Sequence, residues 1–134
     1  MAGKWTDAGE ALVGGVLFVS TATANYFIGI YKNVSEPGEA DTMAAITEPS
    51  SAGTGYGRKV LTRGNWAMTG SVATFGQQTF TASAASWGTI GGYFICSLVS
   101  GATCALMAVE QFSDGPYTIN DGDSVKITPS ITIG

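Results

Sequence analysis

Side chains of short segments after residue 25 fall into two sets at alternate positions, with apolar residues repeating along one or both sets. In the segment 26–32, Tyr26, Ile28 and Ile30 fall on one face, and Phe27 and Tyr31 fall on the other. Because successive side chains of a strand point to opposite faces, this alternation predicts a β-strand. The same reasoning predicts strands at 58–63 (continued at 66–68), 77–81, 93–99, 104–109, 116–119, 124–128 and 131–133.

The stretch 91–109 contains no charged residue, and its length is close to that of a membrane-spanning helix. Turn residues interrupt it at Ser100–Thr103, and the flanking runs 93–99 and 104–109 have strand length and are rich in aromatic and β-branched residues. The pattern therefore predicts a β-hairpin that is apolar on both faces. Such a strand lies inside a sheet with cover on each side, and we expect the helix or a neighbouring subunit to provide one of the covers.

A helix is predicted only near the N-terminus, over residues 7–18, after an N-terminal arm formed by residues 1–6. Asp7 is a good N-cap residue, and Glu10 stands three residues later as in a capping box. Gly14 and Gly15 weaken the helix by about 1 kcal/mol each relative to alanine.

The segment 33–57 is a long acidic loop that contains glycine and proline. Long loops are uncommon in compact domains, so it is either a functional excursion or held by a partner. The sequence Asn120–Asp123 predicts a hairpin turn between the strands at 116–119 and 124–128. Together these elements predict one domain over residues 1–134, mainly β, with the architecture of a small antiparallel β-sandwich, jelly-roll-like, and one short N-terminal helix.

The composition excludes several classes of function. The net charge of −4 argues against binding to nucleic acid, which needs a cationic surface. The chain has no histidine, which excludes catalysis by an imidazole and metal binding through an imidazole. No nucleophile or phosphate-binding motif is present, and Asp121 and Asp123 are better explained by turn chemistry than by calcium binding. We therefore expect neither an enzyme nor a cofactor nor a metal.

Two cysteines, Cys96 and Cys104, lie eight residues apart across a short turn. Their cross-strand relation is at best diagonal, which is too distant for ordinary disulfide geometry. We expect both to be buried free thiols.

Only 12% of the residues are charged, and they are unevenly distributed. One interpretation is that the acidic loop and the basic segment after it are simply solvated. The sharper one is that they meet between neighbouring subunits and fix register. The candidate interface residues are Trp5, Glu36, Glu39, Asp41, Arg58, Lys59 and Arg63, with Trp5 in the N-terminal arm.

The order of short motifs along nearly the whole chain resembles a family of small virion proteins of tailed bacteriophages, labelled tail-fibre-like or capsid-associated. The matching segments are Glu10–Val13, Tyr26–Tyr31, Gly55–Arg58, Trp87–Ile90 and Gly122–Lys126. The chain departs from the family pattern at Gly57, where an alanine is common. The resemblance implies a β-sandwich and a structural role in the particle.

Within that resemblance, a capsid decoration (cement) protein that stabilises capsomer junctions is the favoured role. A tail or fibre subunit that takes part in host recognition is the alternative. The expected partners are the major capsid protein, or tail proteins, and further copies of the chain, with a trimer favoured and no membrane involved. The resemblance implies that the protein is located in the virion. We expect synthesis in the host cytoplasm, because Met1–Asp7 has no signal-peptide cleavage pattern.

Overall fold

A computed structural model describes residues 25–133 of the chain, together with Thr6, Gly14, Gly15 and Leu17. Within residues 25–133 the chain forms eleven strands and one short 3-10 turn, Met43–Ala45. The strands are β1 (Tyr26–Tyr31), β2 (Lys59–Leu61), β3 (Ala67–Thr69), β4 (Val72–Thr74), β5 (Gln78–Thr81), β6 (Gly88–Ile90), β7 (Gly92–Cys96), β8 (Leu106–Gln111), β9 (Tyr117–Ile119), β10 (Ser124–Ile127) and β11 (Ser130–Thr132).

The predicted N-terminal arm, with Trp5, and the predicted helix over 7–18 lie outside the described residues, except for Thr6, Gly14, Gly15 and Leu17. In the part of the chain that the structure describes, no helix has the length and hydropathy needed to cross a membrane.

The strands form a four-stranded sheet and three smaller sheets, all antiparallel. The four-stranded sheet has the order β2-β1-β7-β8, and the smaller sheets are β11-β4-β3, β10-β5 and β6-β9. The smaller sheets contribute Ala73, Phe80, Ile90, Ile119 and Ile127 to the core cluster that covers one face of the larger sheet. The predicted class, a mainly β antiparallel sandwich, is confirmed, with its second layer divided among three small sheets.

The four-stranded sheet is buried on both faces, as the two apolar faces of the hairpin stretch 91–109 predicted for its strands. Ile28, Ile30 and Ile95 point into the large core cluster. Tyr31 and Phe94 point to the other side, into a smaller cluster. The side chains of all five residues are fully buried. We call the first side the main face and the second side the loop face.

The cover on the loop face comes from the same chain. Met43, in the 3-10 turn of the 33–57 loop, is buried against this face, and Ile46 packs beside it. The loop is attached to the end of β1 by a hydrogen bond from the Lys32 N–H to the Thr47 carbonyl (2.6 Å) and by the Asn33 side chain, which bonds Ala45 and Thr47. The long loop is therefore held by its own chain, where the sequence left a functional excursion or a partner as the alternatives.

The predicted hairpin is confirmed as the pair β7-β8. The strands are shorter at the turn than expected, because β7 ends at Cys96 and β8 begins at Leu106. Leu98 and Val99, predicted to be strand residues, lie in the connection and are 45% and 57% exposed. Gly101 in this connection has a φ of +89°, a conformation that favours glycine.

The turn at Asn120–Asp123 forms, but the predicted hairpin around it is wrong. The Asp123 N–H donates to the Asn120 carbonyl (3.0 Å), and Gly122 has a φ of +88°. The two flanking strands nevertheless pair with different partners, β9 with β6 and β10 with β5. The prediction of strand 66–68 as a continuation of 58–63 is also wrong, because β3 belongs to a different sheet from β2. In both cases the turn chemistry is local, whereas the choice of pairing partner is made by the core.

Candidate interaction site

Arg58, a candidate interface residue, is buried inside the chain, and its side chain is only 3% exposed. Its guanidinium forms two hydrogen bonds with the carboxylate of Glu48, Nε to Oε1 at 3.0 Å and Nη2 to Oε2 at 2.8 Å. It also donates to the carbonyl oxygens of Leu98 and Gly101 at 3.0 and 2.9 Å. The sequence suggested that Arg58 is an exposed residue that contacts a partner, whereas in the structure its side chain is buried. A buried charge must be paired and hydrogen-bonded, and Arg58 meets this requirement within its own chain. Arg58 ties the 33–57 loop to the β7-β8 connection.

Glu48 is also the acceptor for a buried tyrosine. The Tyr56 hydroxyl donates to Glu48 Oε1 (2.6 Å) and accepts from the Ile30 N–H (3.0 Å). Burial, followed by the hydrogen bond to Glu48, raises the pKa of Tyr56 above its ordinary value. The hydrogen bond to Glu48 likewise raises the pKa of Arg58. Glu48, Arg58 and Tyr56 therefore form one polar network at the junction of the loop and the sheet.

The two cysteines lie beside this network. Both are free and buried, as predicted. Arg58 Nη1 is 3.6 Å from the sulfur of Cys104, and the thiol of Cys96 donates to the Leu98 carbonyl (3.2 Å). Burial is the main reason that the pKa of Cys96 is raised to about 11. A thiol that stays protonated is a poor nucleophile, so Cys96 acts as a packing residue.

The other two candidate basic residues lie on aromatic rings. Lys59 Nζ is 5.4 Å from the centroid of the Phe80 ring, and Arg63 Cζ is 4.7 Å from that of Tyr26. Both distances are within the range of cation–π attraction. Lys59 and Arg63 are half-buried. Lys59 belongs to β2, an outer strand of the four-stranded sheet, and Arg63 follows the end of β2 by two residues.

The three candidate acidic residues, in contrast, lie together along a groove. Glu36, Glu39 and Asp41 line one rim of a groove of about 730 Å³. The other walls come from β8 and from β11, each of which is the outer strand of its sheet. Since β8 and β2 are the two opposite outer strands of the four-stranded sheet, the groove lined by Glu36, Glu39 and Asp41 and the β2 residue Lys59 lie at opposite edges of that sheet.

One further carboxylate lines this acidic groove, and a tyrosine is hydrogen-bonded to it. Glu110 of β8 lines it, and its Oε2 accepts a hydrogen bond from the Tyr93 hydroxyl (2.6 Å). The Tyr93 hydroxyl also contacts the backbone of Ser130 in β11, 3.3 Å from the nitrogen and 3.4 Å from the oxygen. Sequence reasoning missed both residues. The one available signal was that Glu110 is the charge that ends the uncharged stretch 91–109.

A second, smaller groove of about 480 Å³ lies between β9 and β10. Phe112 and Tyr117 form an aromatic pair at its edge, with ring centroids 5.4 Å apart. Asp123 and Lys126 are its charged lining residues. Tyr117 is 38% exposed, so the aromatic pair is partly available to solvent.

The carboxylates of the Asn120–Asp123 turn are used by the backbone. Asp121 Oδ1 accepts from the Ala84 N–H (2.8 Å), and Asp123 Oδ2 accepts from the Asn120 N–H (2.9 Å). This agrees with the turn chemistry inferred from the sequence. Within residues 25–133 and the few described positions before them, no cluster of three or more potential metal ligands is found.

Comparison with known proteins gives one result. No curated protein and no solved structure matches the chain significantly. A family model described as "Podophage GP4 fiber I protein gp80" matches residues 7–132, nearly the whole chain. The chain therefore belongs to this family of structural proteins of tailed-phage virions.

Proposed function

We propose that this protein is a fibre subunit of a tailed-phage particle. The observation that carries the proposal is the family match over residues 7–132, whose description names a fibre protein. The match favours the tail or fibre role, which was the alternative in the sequence analysis. The capsid cement role, which the sequence favoured, stays a prediction that the experiments below also test.

We further propose that the role is structural and involves no catalysis. The charged groups support this proposal, since Arg58 and Glu48 are paired with each other and Lys59 and Arg63 lie on aromatic rings. The absence of histidine from the sequence also supports it. These groups stabilise the chain, and none forms a nucleophile–base pair of the kind that covalent catalysis needs.

The proposal is tested by locating and counting the protein in purified particles. For a fibre subunit, we expect a copy number that is a small fraction of that of the major capsid protein, with gold-labelled antibodies bound at the tail. Label distributed over the whole capsid, with a copy number close to that of the capsid protein, would establish the cement role instead.

A deletion mutant separates the two roles by phenotype. Particles without a fibre subunit should lose adsorption to the host while keeping the heat resistance of the wild type. Particles without a cement protein should rupture at a lower temperature or on osmotic shock, and they should still adsorb. The wild-type gene supplied in trans is the control for both measurements.

We also propose that the subunit self-associates, with a trimer favoured. The low fraction of charged residues supports this, because a charge-poor surface is commonly covered by partners. Light scattering of the purified full-length protein tests it, and a monomer at all concentrations, with no subunit contacts in the particle, would contradict it.

A further inference from the structure

Two strand edges face each other across the acidic groove defined above. β8 ends the four-stranded sheet and β11 ends the three-stranded sheet. Residues of both strands line the groove, including Leu106, Val109, Ile131 and Thr132. An outer strand presents backbone N–H and C=O groups that another chain can pair with.

The hydrogen bonds of β8 show which of its residues face the groove. The Phe112 N–H donates to the Gly91 carbonyl (3.0 Å), so Phe112 faces β7. Residues of an antiparallel strand alternate between facing one neighbour and the other, so Gln111 and Val109 face away from β7. The Gln111 N–H confirms this direction, because it donates to Glu36 Oε1 (3.0 Å) on the groove rim. We call the side of an outer strand on which no strand of residues 25–133 pairs its open side, and the Val109 N–H and C=O point to the open side of β8.

The same reasoning applies to β11. The Ile133 N–H donates to the Ser71 carbonyl (2.9 Å), so Ile133 and, two residues earlier, Ile131 face β4. Ser130 and Thr132 then face away from β4. The contact of the Ser130 backbone with the Tyr93 hydroxyl confirms the direction. The Thr132 backbone therefore points to the open side of β11.

Tyr93 sets the separation of the two edges. Its hydroxyl lies between Glu110 of β8 and Ser130 of β11, so the two strands are held apart by a tyrosine side chain at this point. The Ser130 backbone is therefore already bonded to Tyr93, and a chain bound in the groove would pair with β8 and β11 beyond this contact, at Val109 and Thr132.

The charge of the groove indicates the chemistry of the occupant. Glu36, Glu39, Asp41 and Glu110 line it, and among the residues that the structure describes no lysine or arginine does. Glu39 and Asp41 are exposed. Four carboxylates repel the identical edge of a second copy and attract a cationic chain.

We propose that this groove binds an extended segment of a partner protein that carries lysine or arginine side chains at alternate positions. The segment pairs with the open side of β8 and with the open side of β11, and its basic side chains meet the acidic rim. Backbone hydrogen bonds supply affinity in this mode of binding, and the side-chain contacts supply specificity. The inference does not depend on whether the subunit belongs to a fibre or to the capsid.

The test uses synthetic peptides with the full-length protein. The probe is the acetylated, amidated peptide Lys-Val-Lys-Val-Lys-Val-Lys with a fluorophore, and binding is measured by fluorescence anisotropy. We expect saturable binding that weakens as salt is added, because the attraction between charges is screened. The matched peptide with glutamate in place of lysine should not bind.

A backbone control separates strand pairing from simple charge attraction. The same basic peptide, N-methylated at alternate residues, keeps its charge but cannot donate hydrogen bonds along one edge. We expect its affinity to be lower by about tenfold or more, since a few backbone hydrogen bonds of about 1 kcal/mol each are lost. Equal affinity of the methylated and unmethylated peptides would overturn the proposal, because the groove would then be only an attractive acidic surface.

Variants of the protein locate the binding site. The double variant Glu39→Gln/Asp41→Asn removes two exposed carboxylates of the rim and should weaken the basic peptide by about tenfold. Val109→Pro removes an N–H on the open side of β8, where proline is tolerated in an outer strand, and should weaken it similarly. The control Asp114→Asn changes an exposed carboxylate that does not line the groove and should leave binding unchanged.

Hydrogen exchange keeps the test decisive if Val109→Pro fails to fold. In the wild-type protein, bound peptide should slow exchange at the amides of Val109 and Thr132 and leave the amide of Ile28, inside the sheet, unchanged. Protection at another outer strand, such as β2, would overturn the assignment. Self-association through this groove in place of peptide binding would show that the occupant is a second copy, and it would overturn the proposed foreign partner.

Discussion

The two faces of the four-stranded sheet are both buried, but they are built in different ways. On the main face, Ile28, Ile30 and Ile95 pack against side chains from three other sheets. On the loop face, Tyr31, Phe94 and Cys96 are covered by the irregular 33–57 loop and the β7-β8 connection. The main face is covered by strands that are hydrogen-bonded in sheets of their own. The cover of the loop face depends on a small number of polar contacts.

The difference teaches where a buried ion pair is needed. A loop has no continuous ladder of backbone hydrogen bonds like that of a strand, so side chains must help to fix its position. The Arg58–Glu48 pair does this, because it joins Glu48 of the loop to the carbonyls of Leu98 and Gly101. The loop face is also closely packed at Gly29 of β1, where a Cβ would overlap the Phe94 ring and the Tyr56 hydroxyl. The following predictions test the contrast between the two faces.

The largest effect is expected on the main face. Ile28→Ala removes a fully buried side chain at the centre of the core, and it should lower the free energy of unfolding by about 4 kcal/mol through lost transfer energy and the cavity left behind. Val60→Ala in β2 is the matched control, because Val60 is 47% exposed, and it should cost about 0.5 kcal/mol or less. Urea unfolding followed by tryptophan fluorescence measures both, and similar losses would contradict the assignment of the core.

A somewhat smaller effect is expected on the loop face. Glu48→Ala leaves the buried guanidinium of Arg58 without its carboxylate, and should cost about 3 kcal/mol. Glu39→Ala, in the same loop but exposed, should cost about 0.5 kcal/mol or less. Hydrogen exchange should accelerate in 33–57 and 97–105 and stay slow in β1. Uniform acceleration along the whole chain would show that the loop is not a separate region.

The third prediction concerns Tyr31 and alkaline pH. Burial, and then Glu36 and Glu110, raise the pKa of Tyr31 from 10.0 to about 12. The unfolded chain releases this proton at the lower pH. The free energy of unfolding is therefore unaffected by this ionisation below about pH 10 and falls as the pH rises to about 12, because the buried site disfavours the ionised form. Tyr93, whose pKa is also raised to about 12, mainly by burial, acts in the same direction.

Tyr31→Phe separates the contribution of Tyr31 from that of Tyr93. The Tyr31 hydroxyl is buried and has no hydrogen-bond partner among the described residues, so its removal should raise the free energy of unfolding by about 1 kcal/mol near neutral pH. Thermal unfolding of both proteins between pH 7 and about 12 measures this, and the variant should lose less stability at high pH. A variant that is less stable than the wild type at neutral pH would show that the hydroxyl is paired.

The smallest effect is expected on the labelling of the two thiols. Cys96 and Cys104 should both be free, and their labelling in the native protein should be slow because both are buried. After unfolding in denaturant, two thiols per chain should react with a chromogenic disulfide reagent. In the Glu48→Ala variant, native-state labelling should be faster, because the cover of the loop face is loosened. A count of zero after unfolding would show that a disulfide forms.

Much of the fold was predictable because strands impose a period of two. The alternation in residues 26–32 determined which side chains of β1 face the main core, and the turn residues Ser100–Thr103 determined that 91–109 forms a hairpin. The free thiols were also predictable, from the spacing of Cys96 and Cys104. The expected N-terminal helix over 7–18 and the role of Trp5 lie outside the described residues.

The pairing of strands was less predictable, because it depends on which apolar faces fit together across the whole domain. The Asn120–Asp123 turn has the chemistry of a hairpin, yet β9 and β10 bind β6 and β5. Those pairings place Ile119 and Ile127 in the main core. Burial of the two isoleucines there outweighs a local pairing between neighbouring strands.

The candidate site divides in the same way. The sequence by itself determined that acidic and basic residues are concentrated in two segments, and that the acidic one includes Glu36, Glu39 and Asp41. Only the tertiary structure decided that these three residues line a groove with Glu110, and that Arg58 is buried against Glu48. The physical reason is that charge and alternation are local properties of the chain. Partners separated by many residues are chosen by packing, which brings β8 and β11 to face each other across the groove.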